Sequence, residues 1–120
     1  MPQENINTQA IFDNIESASD FLKAQSSEAV QLGRLPDETA KKLKEIGVMR
    51  MLQPKEYGGL ETHPNDFFRA VMAVAEKDPS AGWIAGVVGV PPWETAVNDD
   101  RLQQEIWGED NTTLMASPYA

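Results

Sequence analysis

Ten successive residues, Ala81 to Val90, carry no charge on any side of a helix: Ala-Gly-Trp-Ile-Ala-Gly-Val-Val-Gly-Val. Asp78-Pro79-Ser80 starts that helix, because aspartate caps free N–H groups and proline suits the first turn. A helix that is apolar all round has to be buried all round. Part of that cover comes from the other helices of an all-α bundle, and part is expected from matter outside these 120 residues. Ala81, Ala85 and Gly89 form a strip of small residues that admits another backbone or a flat ligand. Trp83, Val87 and Val90 form a bulky strip beside it. Pro91-Pro92 deletes two helical hydrogen bonds, which predicts a kink or break before a last helical piece from Glu94 to Val97.

The wrapping helices are legible from their apolar spacing. Ile11, Ile15, Ala18 and Leu22 predict a first helix from Thr8 to Leu32, capped by Asn7 or Thr8. Pro36 opens a second, with Asp37 and Glu38 in its first turn, lysines toward its end and Gly47 as its stop. Ala40, Leu43 and Ile46 are its expected core face. A third runs from Pro64 to Lys77 with Phe67, Val71, Val74 and Ala75 in one stripe, Phe68 and Met72 adjoining. The Ala81–Val90 helix is the fourth. A fifth begins at Asp99 or Asp100, points Leu102, Ile106 and Trp107 inward and ends at Gly108. Between the second and third lies a rigid turn, Pro54-Lys55-Glu56-Tyr57-Gly58-Gly59-Leu60. The expected fold is thus all-α, a five-helix orthogonal bundle with a short strand-like tail, Thr112 to Ala116. A lone strand has no ladder partner, so the tail pairs elsewhere or stays loose.

At 120 residues the chain is one domain with room for a real core. A formal net charge of -9 repels phosphate backbones, which argues against nucleic acid as a partner. The longest nearly apolar run, Trp83 to Trp93, is short of the roughly 20 residues that span a bilayer. The N-terminus shows no secretion signal, and the absence of cysteine fits a reducing cytoplasm. It also removes disulfides, thiolate metal sites and thiol nucleophiles. The single histidine, His63, sits in a turn without a second ligand, so it reads as an exposed turn residue, and no metal site is expected. Asp99-Asp100 reads as a helix cap rather than a catalytic carboxylate pair. No nucleophile, base and oxyanion donor come together, and no phosphate-cradling loop is present. No catalytic and no cofactor-binding residue is expected in this chain. The Trp83–Trp93 segment suits either the core of a bundle or the wall of an apolar pocket for a planar ligand.

Several short motifs, in order, resemble one family. They are Leu35-Pro36-Asp37-Glu38-Thr39; Leu52-Gln53-Pro54 with Tyr57-Gly58-Gly59-Leu60; Gly82-Trp83 leading to Val88-Gly89-Val90 and Trp93; Glu105-x-Trp107-Gly108-Glu109-Asp110; and Ser117-x-Tyr119-Ala120. Together they resemble the N-terminal helical domain of flavin-dependent monooxygenases of the acyl-CoA dehydrogenase-like superfamily. The likeness is nearest in type to the oxygenases that hydroxylate a phenolic seco-steroid or 4-hydroxyphenylacetate.

The resemblance implies an oxygenase that takes reduced flavin, FMN or FAD, from a separate reductase and hydroxylates a phenolic aromatic substrate with O2. It implies a helical domain over residues 1–111, with 112–120 beginning a β-domain, in a cytoplasmic homo-oligomer that is a tetramer in the family. Acid/base residues and flavin site would lie mainly beyond this chain, leaving it inactive and free of flavin by itself. Pocket wall would come from Trp83, Val87, Val90 and Pro91, and from Ser117 and Tyr119. Two alternatives stand beside this: the N-terminal domain of an FAD-dependent acyl-CoA dehydrogenase, and a free-standing helical interaction module.

Overall fold

The structure, a computed structural model, describes residues 7–116. Asn7 caps the first helix, its side-chain oxygen accepting from the Ala10 N–H at 2.9 Å. The helix expected over 8–32 is two: α1 (Thr8–Ser17) and α2 (Ser19–Leu32), parted at Ala18. Ile11, Ile15, Ala18 and Leu22 are buried on both sides of the break, so the apolar pattern serves one helix or two equally well. Packing rather than a glycine or proline sets the division.

Helix α3 (Asp37–Ile46) follows Pro36 and stops at Gly47, whose φ of +94° only glycine adopts without strain. Its buried face runs through Thr39, Leu43 and Ile46. Ala40, expected inward, is exposed, and Thr39 takes that place with its hydroxyl unpartnered. The buried stripe follows a spacing of four then three rather than three then three, a rotation that spacing alone leaves open. A short 3-10 turn over Val48–Arg50 carries the chain through the core.

The Pro54–Leu60 turn holds a second 3-10 turn, Lys55–Tyr57, ended by Gly58 at φ +87°. Gly59 is required for a different reason, since a β-carbon there would collide with the Gln53 carbonyl. The buried Gln53 amide donates to the Tyr57 carbonyl at 2.7 Å and to the Asn111 carbonyl at 2.8 Å, tying the turn to the C-terminal segment.

Helix α4 (Pro64–Lys77) begins at His63, which is exposed and whose ring nitrogen accepts from the Asn65 N–H at 3.0 Å. Helix α5 (Pro79–Gly89) begins at Asp78, fully buried, with one carboxylate oxygen accepting from the Ser80 and Ala81 N–H groups. The two pack closely: a β-carbon at Gly82 would stand 2.5 Å from that of Ala75. Phe67 and Val74 of α4 and Ala81 and Ala85 of α5 lie at the centre of the core. Lys77, nearly buried, reaches Glu16 of α1 at 3.1 Å.

The expected break appears at the proline pair. Helix α5 ends at Gly89, and a separate α6 (Pro91–Ala96) starts with proline in its first turn. Helix α7 (Asp100–Trp107) is capped by Asp99 and buries Trp107. Leu102, expected inward, is exposed. Gln103 is buried instead and donates to the Ala96 and Asn98 carbonyls, satisfying the end of α6. Among the described residues there is no strand, and Thr113–Ala116 runs without regular structure. No helix among them is long and apolar enough to cross a membrane.

Candidate functional site

The described residues cover α5 on one side only, and the cover expected from outside the chain is wanted on the other. Ala81, Ala85 and Gly89 face the core, so the small-residue strip serves the fold itself. A β-carbon at Gly89 would lie 2.5 Å from the Phe67 ring. The opposite side of α5 is open. Trp83 is 73% exposed, and beside it on α4 Phe68 is 51% and Met72 59% exposed. Nothing among the described residues covers them, and lone exposed apolar residues are ordinary but a contiguous set is not.

Trp83 and Phe68 stand on opposite walls of a groove of about 520 Å³ between α4 and α5. Phe67, Phe68 and Val71 make the α4 wall, and Trp83, Val87 and Val90 make the α5 wall. Gly82, Gly86, Ala75 and Pro79 complete its lining. None of these side chains is charged or bears a strong hydrogen-bond acceptor. The groove can hold a flat apolar body, exclude water from it and fix its orientation. It fits neither a flavin phosphate nor a ribityl chain, because the lining offers no cation and no array of donors. No flavin-holding residue is therefore assigned to it.

Of the sequence-predicted wall residues, Trp83, Val87 and Val90 come together on this groove. Pro91 is buried at the start of α6, next to Val90, and does not line it. Ser117 and Tyr119 lie outside the described residues. Phe68 went unrecognised as a wall residue. The signal was available, since adjacent Phe67 and Phe68 on a helix cannot both face one core.

A smaller cleft of about 280 Å³ lies beside the glycine turn, between Lys44, Arg50, Leu60 and Leu114. Two of its polar groups, Arg50 and Thr112, hold structure. Arg50 donates to the Gly58 carbonyl at 2.9 Å, and burial pulls its guanidinium below the usual range. Asp110 sits below the usual carboxylate range, chiefly because the Thr112 hydroxyl and N–H donate to it. Across the same region the Tyr57 hydroxyl donates to Asp100 at 2.6 Å and its ring lies 5.7 Å from that of Trp107. That hydrogen bond pushes the Tyr57 phenol up to about 12, burial and the Asp100 charge adding to it.

Comparison with known proteins agrees with this architecture. The chain is 52% identical over 112 residues to a pigment production hydroxylase of Rhodococcus erythropolis. It is 38% identical over 112 residues to HsaA, the oxygenase subunit of a flavin-dependent monooxygenase of Mycobacterium tuberculosis. Each alignment covers 93% of this chain and 28% of the relative, so the chain spans just over a quarter of their length. The oxygenase component of p-hydroxyphenylacetate 3-hydroxylase from Acinetobacter baumannii is 32% identical, over 92% of this chain and 26% of its own. The crystal structure of the M. tuberculosis HsaA monooxygenase superimposes with a TM-score of 0.91 at 37% identity, over 96% of this chain and 32% of that one. The all-α fold expected from the sequence is the one found. The acyl-CoA dehydrogenase N-terminal domain matches residues 11–99, most of the chain, and the protein belongs to that family.

Proposed function

We propose that this chain is the helical N-terminal part of a two-component flavin-dependent monooxygenase that hydroxylates a phenolic aromatic substrate. One atom of O2 enters the ring, the other leaves as water, and reduced flavin supplies the two electrons. A separate reductase delivers the reduced flavin, in keeping with the oxygenase subunit and oxygenase component among its relatives. The observation that carries the reading is the uncharged, aromatic-walled groove left open on α5, with Trp83 73% exposed. Such a surface suits one side of a pocket for a planar ring, closed by other parts of a longer polypeptide.

In this reading Trp83, Val87 and Val90 exclude water from the ring, and Pro91 anchors the end of that wall by opening α6 behind Val90. Ser117 and Tyr119 are assigned to the same wall. Flavin and the acid/base groups are held outside this chain. Residues 1–111 form the helical domain, and 112–120 lead into a β-domain. The enzyme works as a cytoplasmic homo-oligomer.

The test supplies the complete oxygenase with a flavin reductase, NADH and isotopically labelled O2, and offers it monocyclic phenols. The expected product carries one labelled oxygen on the ring. The family also includes acyl-CoA dehydrogenases. Bleaching of bound flavin by an acyl-CoA thioester without O2, and no labelled phenol, overturns the proposal in favour of dehydrogenation.

A further inference from the structure

Three glycines stand on α5 between Gly82 and Gly89, and packing accounts for two of them. A β-carbon at Gly82 would lie 2.5 Å from the Ala75 β-carbon and 2.7 Å from its Cα. One at Gly89 would lie 2.5 and 2.6 Å from two atoms of the Phe67 ring. Both positions are kept bare by α4: an added atom meets its backbone at Gly82 and the buried Phe67 ring at Gly89.

Gly86 is different. A β-carbon there would meet only Val71, at 3.7 Å, an ordinary van der Waals contact. Its backbone angle is not in the left-handed region either. Alanine would fit this fold, and alanine is the better helix former in a helix interior. Gly86 lines the open groove, flanked by Trp83 and Val87 on its own helix and faced by Phe68 and Val71. The fold gives no reason for glycine here, whereas a body seated in the groove would.

We infer that Gly86 is a specificity-determining residue: its bare backbone is the floor against which the face of the substrate's aromatic ring lies, so it sets the bulk the groove accepts. This rests on the aromatic-hydroxylation reading above. A β-carbon at position 86 would lift the ring off the floor. The larger the ring face, the more of that floor it uses and the more contact the added carbon removes. In an apolar pocket a difference of one methylene is worth about 10–200-fold in kcat/KM.

The test uses the complete oxygenase with its reductase, reduced flavin and O2, comparing the parent with Gly86→Ala and Gly86→Val on phenol, 4-ethylphenol and 2-naphthol. Gly86→Ala is expected to melt at the parent's temperature or above it. It should lower kcat/KM for 2-naphthol relative to phenol by about 10–200-fold, mostly through KM. Gly86→Val should extend the loss to 4-ethylphenol. A folded Gly86→Ala enzyme with the parent's ratios across the three phenols overturns the inference. A Gly86→Ala enzyme that does not fold overturns it too, by refuting the room on which it stands. A parent enzyme that hydroxylates none of the phenols overturns the underlying reading instead, and the two failures are thereby told apart.

Discussion

Tyr57 stands at the joint between the glycine turn and α7. Its ring leans on Trp107 and its hydroxyl donates to Asp100, which also accepts from Gln104 at 3.0 Å. The bond requires the phenol to keep its proton, and the Asp100 charge opposes ionisation, so the group is pushed up to about 12 from its ordinary value near 10. The sign follows from linkage. The folded phenol holds its proton more tightly than the unfolded one. Its contribution to stability is therefore whole below about pH 10 and is lost as pH rises toward 12. Absorbance titration of the phenolate should show Tyr57 ionising about two pH units above a free tyrosine. Asp100→Asn should return it toward the ordinary range. An ordinary titration of Tyr57 in the parent would show that the bond does not persist in solution.

The contact between α4 and α5 is where single atoms decide most. Gly82→Ala places a β-carbon 2.5 Å from Ala75, and neither backbone has a flexible end to move aside. Overpacking of this kind costs about 1–3 kcal/mol or more. Gly86→Ala, four residues on, meets nothing closer than 3.7 Å and should gain about 0.5–1 kcal/mol from helix propensity alone. Urea unfolding of the two variants should move the midpoint in opposite directions, and equal shifts would contradict the packing described for α5. This pair shows what the sequence discloses and what it does not. Caps and stops were legible because they are local: Asn7, Asp78, Asp99 and Gly47 act within a turn of where they stand. The break at Pro91 was legible for the same reason. The parting of α1 from α2 at Ala18, the exchange of Ala40 for Thr39 and the burial of Gln103 in place of Leu102 were not. Each depends on which way a helix is rolled against distant neighbours, and apolar spacing tolerates a roll of one position. At the site, Trp83, Val87 and Val90 were legible as a bulky strip. The strip of Ala81, Ala85 and Gly89 looked equally available to a ligand, and only tertiary packing, which buries Ala81 and Ala85 fully and sets Phe67 against Gly89, reveals that the core uses it.

Taken whole, the domain joins two opposed tendencies. A net charge of -9 repels one copy from another, while the face bearing Phe68, Met72 and Trp83 gains from any apolar surface that covers it. Which tendency prevails depends on salt, because the Debye length falls from about 30 Å at 0.01 M to about 3 Å at 1 M and apolar attraction is not screened. The 120-residue chain by itself should therefore take up a hydrophobic dye at every ionic strength, and should pass from monomer toward self-associated species as salt rises. Phe68→Gln combined with Trp83→Gln should suppress both effects while leaving the unfolding midpoint nearly unchanged, since both side chains are more than half exposed. Sedimentation and dye fluorescence across a salt series read the two effects separately. Loss of dye uptake without loss of salt-driven association would move the sticky surface elsewhere on the molecule. A parent chain that stays monomeric and dark throughout would mean the groove needs no cover. The free-standing interaction module would then account for this fold better than a domain that seats part of an oxygenase.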